Sequence, residues 1–212
     1  MSFARPHAIL IAAGLLLGSL AAHADTPSVK RVDAQSTALA GTMTRAAMLT
    51  DLHTAFADGE RIGTLRSGAA CGATADREWS ELVRQRVESE LPSVFHDELA
   101  KAGGMFPVGG GAPLRVQAFL NNIDVQVCQA AAGTWQGGFY VQVSWQIVSP
   151  ESGQVVYQAS TEGSFMLNQP RRMATATGLR EAFGVAVRNL IADRRFAALL
   201  QPADPRRVAL AY

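Results

Sequence analysis

The chain has few of the residues from which catalytic and metal centres are built. It contains two cysteines, Cys71 and Cys128, and four histidines, of which only His53 and His96 lie beyond residue 24. Two cysteines and two histidines scattered without ligand spacing exclude the common zinc sites, and no metal is expected. There is no GxSxG, no HExxH and no phosphate-binding loop. The run Gly109-Gly110-Gly111 is followed by Ala-Pro, not by the Lys-Ser/Thr that phosphate binding requires, so no cofactor is expected. Charge of one sign is also lacking: 19 basic residues face 18 acidic ones, which argues against nucleic acid as a partner. Beyond residue 24 no apolar run approaches the roughly 20 residues that a membrane span needs.

What is present begins with an export signal. Arg5 gives a short basic region, Ala8 to Ala21 an uncharged apolar core, and Ala22-His23-Ala24 the small residues of a cleavage site. The core is too short for a membrane span, so a cleavable signal peptide is predicted over 1–24, with cleavage after Ala24 and a periplasmic product. No cysteine stands at the cleavage point, so neither a lipid anchor nor stable membrane insertion is expected. Losing Arg5 and no acid brings the formal charge of +1 to zero. In an oxidising compartment, Cys71 and Cys128 are most simply read as a disulfide. The alternative is a reactive Cys71 with His53 or His96 as its base.

Periodicity supplies the elements. Residues 25–58 read as a partly flexible leader, with Met48, Leu49, Leu52 and Phe56 at helical spacing in a short helix over 45–57. Residues 61–71 read as a strand. Thr74 or Asp76 is a candidate cap for a helix whose stripe runs from Trp79 and Leu82 through Val83, Val87, Leu91, Val94, Phe95 and Leu99, with Pro92 predicting a kink or break. Leu114 to Cys128 alternates, but Leu114, Val116, Ala118 and Leu120 share one parity and Ile123, Val125 and Val127 the other. A β-bulge at Asn121-Asn122 would produce that shift. Residues 139–148 alternate cleanly and pair across a turn at 150–153 with 155–166, a strand with an interruption predicted at Gly163. One amphipathic helix is predicted from Ala174 to about Leu200, carrying Leu179, Ala182, Phe183, Ala186, Val187, Leu190 and Ile191. The expected fold is α+β: a two-layer sandwich with a mostly antiparallel sheet of about four strands in the order β-α-β-β-β-α, and two long amphipathic helices on one face. The folded domain is expected over 59–200, followed by a C-terminal tail, 201–212.

Few residues stand out as a site. Trp135 falls in the glycine-rich segment 129–138 near Cys128, where a loop tryptophan is a candidate contact residue. His96 beside Phe95 reads as a structural histidine. The pairs Arg171-Arg172, Arg194-Arg195 and Arg206-Arg207 read as solvated surface rather than docking patches.

The stretches IGTLRSGAACG (62–72), REWSELVRQRVESELPSVFHDELAKAG (77–103) and VSWQIVSPESGQVVYQASTEGSF (143–165) carry a resemblance. Over residues 60–200 the chain is similar to small α/β modules of envelope lipoproteins of the YajG and penicillin-binding-protein-activator type. It also resembles the segment ahead of trypsin-like peptidase domains in some exported bacterial proteins. The resemblance implies a β-α-β-β-β-α fold and an accessory role in envelope assembly, and it supplies no catalytic residues. The absence of a lipidated cysteine departs from the lipoproteins, and no proteolytic activity is expected. The leading expectation is a non-enzymatic accessory module that binds an envelope protein. The alternatives are a small-ligand or peptide binder using Trp135 and an atypical hydrolase centred on Cys71 or His96.

Overall fold

The computed structural model describes residues 28–35, 45–68, 70–103, 112–129 and 134–201. The predicted signal peptide, the Gly109-Gly110-Gly111 run and the tail beyond Gln201 lie outside them. Six strands and three helices follow one another among these residues: β1 (Ala47–Thr54), β2 (Arg61–Ser67), β3 (Ala73–Glu78), α1 (Glu81–Lys101), β4 (Leu114–Gln129), β5 (Trp135–Val148), β6 (Val155–Arg171), α2 (Thr175–Ala192) and α3 (Arg194–Leu200). The α+β class is as expected. The sheet has six strands rather than four; three of its five pairings are antiparallel, as expected of a mostly antiparallel sheet, and β1 and β2 pair parallel to β4.

The centre of the sheet is β4, long enough to serve two partners on one edge. β1 runs parallel to Leu114–Leu120, and β2 runs parallel to Val125–Gln129, so the two lie end to end beside it. β3 pairs antiparallel outside β2. On the other side β5 and β6 continue antiparallel, completing the order β3-β2-β4-β5-β6 with β1 attached to β4. The phase change read in β4 is a bulge: the β4–β5 register shifts between Leu120 and Asn122. On both sides of it the apolar set stays inward, Leu114, Val116, Ala118 and Leu120 before it and Ile123, Val125 and Val127 after it.

A second bulge explains the misread first element. Residues 45–57 were expected to form a helix, yet Ala47–Thr54 is a strand. Its register against β4 shifts between Leu49 and Asp51. Skipping Thr50 places Leu49 and Leu52 on the same face, and a spacing of three imitates one turn of helix.

Residues 73–78, expected to cap the first helix, instead form β3. The cap is Ser80, whose side chain accepts from the Val83 N–H. Trp79 therefore sits just ahead of the helix, where it is fully buried against Phe56. Leu82, expected on the apolar stripe, is 63% exposed. α1 runs unbroken from Glu81 to Lys101 with Pro92 inside it. At the other end, the helix expected over 174–200 is two helices. Asp193 leaves the helical conformation, and its carboxylate accepts from the Arg195 and Phe196 N–H groups to start α3.

Both long helices press on one face of the sheet. Trp145 of β5 touches Phe95 of α1 and Phe183 of α2. Its Nε1–H donates to Thr161 Oγ1 of β6, and that hydroxyl donates to the Ala186 carbonyl of α2, so strand, strand and helix are linked in sequence. β6 runs without interruption through Gly163. The glycine is needed because α2 crosses there: a Cβ at 163 would lie 2.1 Å from the Ala182 carbonyl oxygen.

Glu98 is the one charged residue buried in this layer among those described. Its carboxylate joins Lys101 of the same helix and Arg188 of α2, each at 2.8 Å. Burial pushes its pKa up, but the bonds from Lys101 and Arg188 outweigh that and hold it below the ordinary 4.5. With a folded pKa below the unfolded one, its contribution is fully present above about pH 5 and is lost as pH falls through the folded value. Glu98→Gln is expected to cost about 2 kcal/mol at neutral pH, the scale of hydrogen bonds to a charged group. Arg188 and Lys101 are partly exposed and regain water, which keeps the loss below that of a wholly buried pair. The variant should also show a flatter decline in stability from pH 5 to pH 3. Equal slopes in urea unfolding at those pH values would contradict the assignment.

Candidate interaction surface

Strand alternation sends every second side chain away from the helices, and this outer face collects the polar and titratable groups. The end nearest β2 is closed by the disulfide. The turn after β2 places Cys71 at φ 53° and joins it to Cys128 near the end of β4, with a Cα separation of 5.6 Å. Gln136 Nε2 lies 3.6 Å from the Cys71 sulfur. With its sulfur in a disulfide, Cys71 offers no thiolate, and the hydrolase reading centred on it loses its nucleophile.

Across β1 and β4, His53 stacks on Phe119 with ring centroids 4.9 Å apart. Beside them Asp51 accepts from Thr50 Oγ1 at 2.8 Å and Gln117 Nε2 at 3.3 Å, and these bonds lower its pKa. Asn121, the bulge residue of β4, donates to Ser144 of β5. Met48 is exposed on the same face, which makes this quarter an amphipathic patch with a flat ring pair at its middle.

Over β5 and β6 the face is covered. Residues 28–35, expected as part of a flexible leader, lie across it as an extended strap. Val29 is 8% exposed and seated above Gly138, where an added Cβ would meet its Cγ2 at 2.5 Å. Lys30 pairs with Glu162 and stands 5.6 Å from the centre of the Tyr140 ring. Ser164 Oγ accepts from the Val32 N–H at 2.8 Å and donates to the Val32 carbonyl at 3.0 Å. Asn189 of α2 takes the Gln35 N–H with Oδ1 at 2.8 Å and reaches the Asp33 carbonyl with Nδ2. Burial and its bond to Glu162 push the Tyr140 hydroxyl up to about 12, while the Lys30 bond keeps Glu162 low. Beside Val32 and Gln35 an open groove of about 350 Å³ lies between β6 and the end of α2, lined also by Ser160, Thr161, Asn189 and Asp193.

The residues singled out from sequence do not converge. Trp135 begins β5 opposite Gln129 and Arg171 instead of occupying a loop, and it packs half-buried against the core. His96 is exposed on α1, edge-on to Phe95 at 5.8 Å. His53 and His96 lie on different elements, and among the described residues neither is hydrogen-bonded to a hydroxyl, thiol or carboxylate. No group of three or more His, Cys, Asp or Glu side chains suited to a metal occurs among the described residues. Arg194 is exposed, in keeping with a solvated pair, while Arg206-Arg207 lies outside the described residues. The strap's partners Ser164 and Asn189 were missed by sequence reasoning, since their contacts span more than 130 residues.

No family model matches the chain, and no curated protein matches it. Among solved structures, it is similar to a Xanthomonas campestris protein of the DUF330 family at 12% identity and TM-score 0.36, covering 82% of this chain and 93% of that one. It is similar as well to a candidate lipoprotein of Caulobacter crescentus at 16% identity and TM-score 0.35, covering 56% of this chain and 95% of that one. At such identities and TM-scores the likeness says nothing of function. No helix among the described residues is long and apolar enough to cross a membrane.

Proposed function

We propose that this protein is an exported, periplasmic, non-enzymatic accessory module that works by protein–protein contact through the outer face of its sheet. The observation that carries the reading is the disulfide between its only two cysteines, a bond that persists in oxidising compartments. The signal-peptide layout of residues 1–24 and the resemblance to envelope lipoprotein modules support the same location. The mode of action is argued from the outer face: an exposed amphipathic patch around Met48, His53 and Phe119, with polar groups too dispersed to act together on a substrate.

The test is photo-cross-linking in intact cells. A photoreactive residue in place of His53 or Gln117 is expected to give a discrete protein adduct, and the same residue in place of Arg86 or Glu90 on the exposed side of α1 none. Equal adduct patterns from the two sides, or none from the sheet side, would sink the proposal.

A further inference from the structure

The strap is held as a bound peptide is held, not as a strand is. No ladder joins residues 28–35 to the sheet. Their backbone is recognised by two side chains, Ser164 on both the N–H and the C=O of Val32, and Asn189 on Gln35 and Asp33. Ser164 is 8% exposed, and among the described residues its hydroxyl bonds to the strap alone. Two side-chain subsites flank it. Gly138 leaves the hollow that Val29 fills beside Met166, and a larger residue at 138 would close it. Glu162 and the face of Tyr140 receive the ammonium of Lys30. A hydrogen-bonding clamp on main chain, a small apolar hollow and an acidic subsite beside an aromatic ring are the parts of a sequence-selective peptide groove.

We propose that the outer face of β5–β6 is a peptide-binding site. Its ligand is an extended segment of a partner protein carrying a β-branched aliphatic residue followed by lysine or arginine, and residues 28–35 are its resident, displaceable occupant. The acidic subsite sets the basic requirement, since a neutral or acidic side chain there would leave Glu162 without its ion pair. The open groove beside Val32 and Gln35 gives an incoming segment room and further polar groups at Ser160 and Asp193. Being part of the same chain, the strap competes at the high local concentration of a tethered ligand, so the site stays shut to weak peptides. This inference rests on the protein-contact reading but is separable from it: cross-links from the His53 side would survive its failure.

The experiment uses the full mature chain and a dye-labelled synthetic peptide spanning residues 26–35. In the variant Val29→Asp, Lys30→Glu the strap is released. That chain should bind the peptide saturably, at least tenfold more tightly than the native chain. Adding Ser164→Ala, or changing the peptide's Lys30 to Glu, should lower the affinity about tenfold. A released chain that is folded by circular dichroism and binds no peptide overturns the proposal, as do equal affinities for released and native chains. Hydrogen exchange keeps the matter decidable if the double variant does not fold. Exchange of the native Val32 N–H well ahead of global unfolding supports a displaceable strap, and exchange only with global unfolding overturns it.

Discussion

Replacing Cys71 and Cys128 together by serine is expected to lower the stability of the folded chain by about 4 kcal/mol. The bridge closes a loop with a sequence separation of 57 residues. The chain-entropy relation for a loop of that size gives roughly 4 kcal/mol of destabilisation removed from the folded state's competitor, the unfolded ensemble. That loop includes β3, α1 and most of β4, so its reduced form regains a large conformational freedom only when unfolded. Both sulfurs are buried, and serine hydroxyls in their place would add a small desolvation cost of their own. Urea unfolding of native and doubly substituted chains at neutral pH would measure the difference. Native protein with a reducing agent should shift toward the variant. A loss below about 1 kcal/mol would mean that the bridge joins groups already held together by β2–β4 pairing even in the unfolded chain.

An alanine at Gly163 should do comparable damage by the opposite route, through the folded state alone. Its Cβ would come within 2.1 Å of the Ala182 carbonyl oxygen and 2.5 Å of the Ala186 nitrogen, both backbone atoms of α2 that cannot rotate aside. The helix would have to lift by about 1 Å to restore ordinary contact, since protein interiors are packed without slack. Lifting it stretches the 2.8 Å bond from Thr161 to the Ala186 carbonyl and loosens Phe183 from Trp145. Overpacking usually costs 1–3 kcal/mol, and with rigid backbone on the receiving side a loss of about 3 kcal/mol or more is expected for Gly163→Ala. The control is Ser160→Ala on the exposed edge of the same strand, which should change little. Thermal unfolding of the two variants separates the outcomes, and similar midpoints would show that α2 does not rest directly on Gly163.

How much of this was legible in the sequence depended on run length. In β4 several alternating residues stand on each side of Asn121, so the reversal of parity declares both the strand and its bulge. In β1 only Ala47 and Leu49 precede the irregularity at Thr50. So short a run cannot establish a period of two, and the resulting spacing of three passes for a helix. Ser80 and Asp193 illustrate a different limit: Thr74 and Asp76 were equally good caps by residue type, and nothing in the apolar stripe from Leu179 to Ile191 marks the break at Asp193. The β3 strand carries no hydrophobic signal because it is an exposed edge, ATADRE, with β2 as its strand partner. The disulfide was legible from cysteine arithmetic. The strap was not: Val29 and Lys30 are an ordinary pair of residues until Gly138, Glu162 and Ser164 are brought beneath them, and nothing within a short window of sequence announces that meeting.

The end-to-end seating of β1 and β2 on a single edge of β4 bears on the order in which the molecule assembles. β4, β5 and β6 form a meander whose neighbouring strands are joined by short connections, and their pairing closes small loops. Ala47 meets Leu114 and Gly63 meets Val125 across more than 60 residues each, and such closures are entropically slow. The meander is therefore expected to pair before the N-terminal strands arrive, leaving the other edge of β4 open to a passing strand until they do. In the folded chain the Cys71–Cys128 bond ties the turn after β2 to the end of β4 and so holds β2 on that edge. A thiol-trapping time course would report when the two sulfurs meet and that edge is secured.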